Sequence, residues 1–245
     1  MASSALRWAD VDRRVLTRQL PEALVLLPVG ATEQHGPHLA TGTDALIAGE
    51  LCAAAADRAA RRCQRPIVVA PTVAFGASDH HLPFGGTLSL SPETLLAVIL
   101  DLARCVAAQG GRRLLLVNGH GGNVGVCHAA AAAASTRYGL AVGHLDYWHL
   151  APAEPDVPVP GHAGEFETSL VLALRPDLVG ERTARAQPPS VPAVPGIDLH
   201  TGAIWRTIDG HTDSAERADA DAGKRRLDHL VRLMADRLVQ LEGAL

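Results

Sequence analysis

The stretch ALVLLPVGATEQHGPHLATGTD, residues 23–44, decides the fold. Its first seven residues, Ala23 to Val29, are a continuous apolar run bounded by turn residues, the pattern of a strand buried on both faces. Gly30 to Thr43 is polar and glycine-rich and reads as a loop. A helix is expected from Ala45 to Arg62, with Leu46, Ile47 and Leu51 on one side. Thr43 is placed to cap it, and Asp44 falls in its first turn, where a carboxylate suits the positive end of the helix dipole.

The same unit recurs along the chain. Pro66 to Ala70, Arg113 to Val117 and Leu140 to Tyr147 read as further strands. Ser91 followed by Pro92 starts a helix that runs to about Ala108, a second follows the turn Asn118 to Gly122 as far as Tyr138, and a third covers Glu165 to Leu174. Residues 71–90 read as loop with a short strand near Thr87 to Leu90, residues 150–160 as a proline-rich loop, and residues 187–211 as a long surface segment. Ser214 to Leu241 is expected as an amphipathic helix striped by Leu227, Leu230, Val231, Met234 and Leu238. Strands alternating with helices argue for an α/β fold with a mainly parallel sheet covered on both faces. In such a sheet the polar turns after the strands sit at the carboxyl edge, where ligands bind.

Composition sets the outer limits. The 245 residues are 47% hydrophobic and 20% charged, enough for a single globular domain spanning 1–245 with a sizeable core. The formal charge of −4 argues against a nucleic-acid partner. No apolar stretch reaches the roughly 20 residues of a membrane span, and Met1 to Arg14 carries early charges without an apolar h-region, so a cytoplasmic protein is expected. The four cysteines form no C-x-x-C pair and are expected to be buried, reduced thiols.

Chemistry concentrates in a few turns. Glu33 and His35 point to one side of an extended backbone, and Asp44 follows nine residues later. His120 lies in the turn Asn118-Gly119-His120-Gly121-Gly122, whose glycines fail the G-x-G-x-x-G spacing of a dinucleotide loop. His162 precedes Glu165 by three, the spacing of one helical face, while Glu167 is assigned to capping or an ion pair. Glu33, His35, Asp44, His120 and Glu165 are nitrogen and oxygen donors suited to divalent transition metals. Two ions about 3.5–4 Å apart would activate water and polarise a carbonyl, with His162 left to move the proton of the leaving nitrogen. The chain lacks both H-E-x-x-H and a G-x-S-x-G elbow, which excludes those hydrolase designs. In the turn Gly76 to His81, one of the paired histidines is expected to line a pocket.

These residues resemble the creatininase (creatinine amidohydrolase) family. The blocks PVGATEQHGPHLATGTD (28–44), GASDHHLPFGGTLSL (76–90), LLLVNGHGGN (114–123) and HAGEFETSL (162–170) carry the resemblance. It implies a three-layer α/β/α sandwich, two divalent ions per chain (zinc, manganese or iron), and a homohexamer built as a trimer of dimers. It also implies hydrolysis of an amide, formamide or cyclic amide C–N bond, in a small molecule or short peptide, by a two-metal-activated hydroxide. Glu33, His35, Asp44 and His120 match the family's metal ligands, with Asp44 bridging, and His162 matches its proton-transferring histidine. Creatininase takes a further carboxylate two residues after the histidine of its NGH motif. Gly122 stands there, so Glu165 is taken as the replacement. Ser78, His81, Gly121 and Trp148 are the expected substrate contacts, Trp148 matching a pocket tryptophan. Gly121 replaces an aromatic residue and the tryptophan before the HAG motif is missing, so creatinine itself is not expected as substrate. The family resemblance leaves open a peptidase of the mycofactocin-precursor type. Outside amide chemistry stand a hydrolase that opens a sugar-derived ring at a C–C or ester bond and a non-catalytic metal-binding relative.

Overall fold

The computed structural model describes residues 5–152, 154, 157–184, 194, 196, 197, 202, 205 and 208–245. Five strands, β1 (Leu6–Arg7), β2 (Leu24–Val29), β3 (Ile67–Val69), β4 (Arg113–Asn118) and β5 (Ala141–Asp146), form one sheet in the order β1-β3-β2-β4-β5. Every pairing is parallel, and β2 lies between β3 and β4 with Leu24 opposite Arg113 and Val29 opposite Asn118.

Alternate residues of each strand serve opposite layers, as the two-residue period of a strand requires. Leu24 and Leu26 join Leu115 and Val117 under α2 (Thr43–Ala60), α5 (Glu165–Leu174) and α6 (Ala220–Ala244). Val25, Leu27 and Val29 join Leu114 and Leu116 under α1 (Arg13–Gln19), α3 (Pro92–Ala108) and α4 (Val124–Tyr138). The result is the expected three-layer α/β/α sandwich. With few aromatics, small side chains fill part of both layers: Ala48, Ala55, Ala56 and Ala59 of α2 and Ala130 and Ala134 of α4 are buried.

Several boundaries differ from the sequence reading. α2 starts at Thr43, because the Thr43 hydroxyl donates back to the Ala40 carbonyl at 2.8 Å instead of capping the turn ahead. The C-terminal helix starts at Ala220, where Asp219 caps it by accepting from the Ala222 N–H at 2.7 Å. The strand expected near Thr87 to Leu90 is reduced to one bridge, Thr32 to Leu88. All four cysteines are free thiols, but only Cys52 and Cys127 are buried; Cys105 is exposed. Much of the 187–211 segment lies outside the described residues. No described helix is long and apolar enough to cross a membrane.

Candidate metal centre

β2 and β4 end side by side, and the segments leaving their carboxyl ends converge there. The loop after β2 supplies Glu33, Gln34 and His35, and the first turn of α2 supplies Asp44. The turn after β4 supplies His120. A 3-10 turn, Asp79–Phe84, brings His80 and His81. His162 comes from the turn before α5, and Glu167 from the first turn of that helix. Glycine is needed where the second segment crosses the first: a Cβ on Gly119 would stand 2.8 Å from the Asp44 carbonyl oxygen.

The donor atoms crowd one small buried volume. Glu33 Oε1 lies 3.2 Å from His120 Nδ1, 3.3 Å from His81 Nε2 and 3.6 Å from His162 Nδ1. Asp44 reaches His35 Nε2 with one oxygen at 3.1 Å and His120 Nδ1 with the other at 3.3 Å. Glu33, His35 and Asp44 bring ligand atoms within 4.8 Å of one another, as do His35, His162 and Glu167, and as do Glu33, His81 and His162. Both Glu33 oxygens and Asp44 Oδ2 are buried without a well-directed hydrogen-bond donor. Orphaned buried carboxylate oxygens are costly. Here they face imidazole nitrogens, a donor set that fits divalent transition metals.

The electrostatics tell the same story. Burial pulls His35 down, but the charge and hydrogen bond of Asp44 outweigh it and lift its pKa to about 10. Burial likewise disfavours a charged His120, yet Glu33 and Asp44 raise it well above the ordinary value. Burial would raise Asp44, and His35 and His120 hold it below the carboxylate range instead. Burial pushes the Glu167 carboxyl up to about 8, with Asp44 adding to the rise and His35 opposing it. His162 is driven well below the ordinary histidine value by burial, helped by His35 and His81, so its ring is neutral at pH 7.

Gln34 organises the rings around this cluster. Its Oε1 accepts from the Gly36 N–H at 2.9 Å, which fixes the amide so that Nε2 donates to His81 Nδ1 at 2.8 Å. His162 Nε2 lies 3.0 Å from both Gln34 Nε2 and the Gln34 carbonyl oxygen. Asn118 fixes the other side: it accepts from the His120 N–H at 3.0 Å, donates to the His120 carbonyl at 2.9 Å and donates to Asp146 at 2.8 Å. Ser78 Oγ is 3.3 Å from His120 Nε2, and Gly121 is exposed beside it with nothing within 4 Å of where its Cβ would be.

Two of the expected site residues stand apart from the donor cluster. Glu165 is not in the cluster. It is the first residue of α5, and its carboxylate leaves toward α6, 3.1 Å from Arg226 Nη2. His162 and Glu165 do not share a helical face, because the helix begins only at Glu165 and His162 lies outside it. Two residues on, about 200° around the helix, Glu167 turns inward and accepts from the Ala163 N–H at 2.7 Å. Trp148 is the second case: its ring meets Tyr147 and His149, and the indole that touches the site histidines is Trp205. Trp205 lies in the segment whose composition carries no periodicity to place it. Gln34 sits inside the quoted Glu33-Gln34-His35 block, where a neutral amide between two ligand types gave no signal of its own.

Comparison with known proteins now bears on this arrangement. The family model described as creatinine amidohydrolase (creatininase) matches residues 4–238. The mycofactocin precursor peptide peptidase of Mycolicibacterium smegmatis is 36% identical over 218 residues, 88% of this chain and 84% of that protein. The creatinine amidohydrolase of Pseudomonas putida is 32% identical over 255 residues, 94% of this chain and 93% of that protein. A solved structure described as creatininase Mn superimposes with a TM-score of 0.81 at 29% identity, covering 96% of this chain and 97% of that one.

Proposed function

The chain belongs to the creatininase family, whose hydrolases act on amide C–N bonds, and from that premise we propose that it is a metal-dependent amidohydrolase of a small amide or short peptide other than creatinine. The observation that carries this reading is the set of orphaned acceptors, both oxygens of Glu33 and Oδ2 of Asp44, buried beside the rings of His35 and His120, with Glu167 grouped on His35. In it, Glu33, His35, Asp44, His120 and Glu167 would hold the divalent metal, with Asp44 placed between the His35 and His120 halves of the donor set. A divalent ion, when bound, supplies Lewis acidity toward a carbonyl oxygen and acidifies water. Mixed nitrogen and oxygen donors accept zinc, manganese or iron according to supply.

The protein's own groups do the rest. His162 stays neutral through burial, 3.6 Å from Glu33, and gives or takes the proton at the leaving nitrogen. Gln34 holds His162 and His81 at fixed angles through its amide. Ser78 and the open ground beside Gly121 receive the substrate next to His120. One domain over 1–245, a homohexameric assembly and a cytoplasmic setting complete the proposal, supported by the family blocks.

The test is turnover. The protein loaded separately with zinc, manganese and iron is offered formamides, cyclic amides and short peptides, with products read by mass spectrometry. Cleavage of an amide that stops on chelation and returns with metal supports the reading. Failure on every amide, together with cleavage of a ring ketone or ester, overturns it in favour of carbon–carbon or ester hydrolysis.

A further inference from the structure

The site histidines carry an indole that the metal chemistry does not use. The Trp205 ring centroid lies 4.3 Å from that of His81 at 70°, 5.0 Å from His80 at 48°, and 5.4 Å from His162 at 89°. His81 and His162 are themselves stacked at 4.3 Å and 20°, and His80 lies parallel to His120 at 5.6 Å and 7°. One indole therefore borders rings on both sides of Glu33, edge-on to the histidine assigned to the leaving nitrogen. It is half-buried, so part of its surface stays free.

The loop that brings His80 and His81 to the indole also carries exposed apolar side chains. Leu82, next to His81, is 50% exposed, and Leu88 is 60% exposed on the same 76–90 loop. Phe84 lies 6.4 Å from His81. Beside His120, by contrast, Gly121 removes any side chain. The site has an aromatic border at Trp205 and a bare one at Gly121.

We propose that Trp205 is a substrate-contacting and specificity-determining residue, whose indole packs a planar or bulky apolar group on the leaving-nitrogen side of the scissile amide. Trp205 approaches His162, and the leaving nitrogen must lie next to His162, so the group attached to that nitrogen is the one that meets the indole. The favoured substrates are thus amides whose amine half is aromatic or apolar. This rests on the amidohydrolase reading for the identity of the amine half, whereas contact with the indole does not.

The experiment separates the two. Binding of benzylamine, and of methylamine as its small counterpart, to the zinc-loaded protein is followed by tryptophan emission and by calorimetry in wild type, Trp205→Phe and Trp205→Ala. Zinc content is measured in each. Benzylamine is expected to bind wild type about tenfold more tightly than Trp205→Ala, the scale of one aromatic contact. Trp205→Phe should keep most of that affinity, methylamine should not discriminate, and all three proteins should hold the same zinc. Turnover of N-benzyl and N-methyl formamide by the same proteins should show the loss in KM for the benzyl substrate. Equal benzylamine affinity in wild type and Trp205→Ala, including no affinity in either, overturns the proposal, as does loss of zinc from both variants. Absence of turnover with the binding difference intact would count against the amidohydrolase reading alone.

Discussion

The Glu165 carboxylate lies 3.1 Å from the Arg226 guanidinium, while the carboxylate two residues further on is sealed among the metal-site side chains. Arg226 is also held by both oxygens of Glu154 at 2.9 and 2.6 Å, so losing Glu165's charge leaves it well paired. Glu165→Gln should therefore cost about 1 kcal/mol in urea unfolding and leave metal content unchanged. Glu167→Gln retains an acceptor for the Ala163 N–H, yet should lower occupancy of one ion several-fold. Metal analysis of the two purified variants decides it, and the reverse pattern would reinstate Glu165 as the ligand.

Asp44 splits its oxygens between His35 at 3.1 Å and His120 at 3.3 Å. A carboxylate placed this way serves both halves of the donor set. Asp44→Ala should empty both positions, while Glu33→Ala or His35→Ala should weaken chiefly one. Equilibrium dialysis against zinc will show two sites in the wild type and none in Asp44→Ala. Retention of both ions would remove Asp44 from the bridging role.

Asp146 supplies a pH dependence away from the donor set. Burial would raise its pKa, but hydrogen bonds from His144 at 2.9 Å and Asn118 at 2.8 Å win and hold it below the ordinary value. A depressed carboxylate stabilises the folded state above its unfolded pKa, about 3.9, and that contribution is lost as pH falls through the folded value. Asp146→Asn resembles the protonated form at every pH. It should be about 1–2 kcal/mol less stable than wild type at pH 7, and the gap should narrow below about pH 4. Urea midpoints of both proteins at pH 7, 5 and 3 measure it; a gap that stays constant would mean that Asp146 contributes no linked charge.

Much of this was legible in the sequence because it rests on local pattern. The apolar runs at 23–29 and 113–117 are strands because only a doubly covered strand is apolar on both faces, and the register of β2 with β4 then brings Glu33, His35, Asp44 and His120 together. Glu167 was not legible for a different reason: α5 begins at Glu165 as its pattern predicts, but the three-residue spacing was counted from His162, which precedes the helix, and the inward carboxylate is the one two residues on. Trp205 was hidden differently. It reaches the histidines from a proline- and glycine-rich segment, where neither period nor cap ties a residue to a place. The clasp on His162 by Thr212, fifty residues away, is a contact between loops of the same kind.

That clasp frames the last prediction. The His162 N–H donates to Thr212 Oγ1 at 2.7 Å, and the His162 carbonyl accepts from the Thr212 N–H at 2.9 Å. On either side the backbone is left-handed, with Gly161 at φ 67° and Ala163 at φ 50°. A non-glycine residue in that region costs on the order of 1 kcal/mol, which the surrounding contacts must hold in place. An imidazole fixed this firmly, neutral through burial and bonded to Gln34, is suited to proton transfer at one position. An amide nitrogen leaves poorly unless protonated, so His162→Ala should lower kcat by roughly 10²–10⁴ with KM little changed and both ions retained. A substrate whose leaving group needs no proton should suffer far less. Thr212→Val keeps the backbone N–H but loses the hydroxyl, so it should lower kcat by a smaller factor, about tenfold, without touching metal content, because a drifting ring spends less time in line. Steady-state kinetics with metal analysis on the same preparations checks both. An emptied metal position in His162→Ala would make His162 a ligand and send the search for the proton donor to His81.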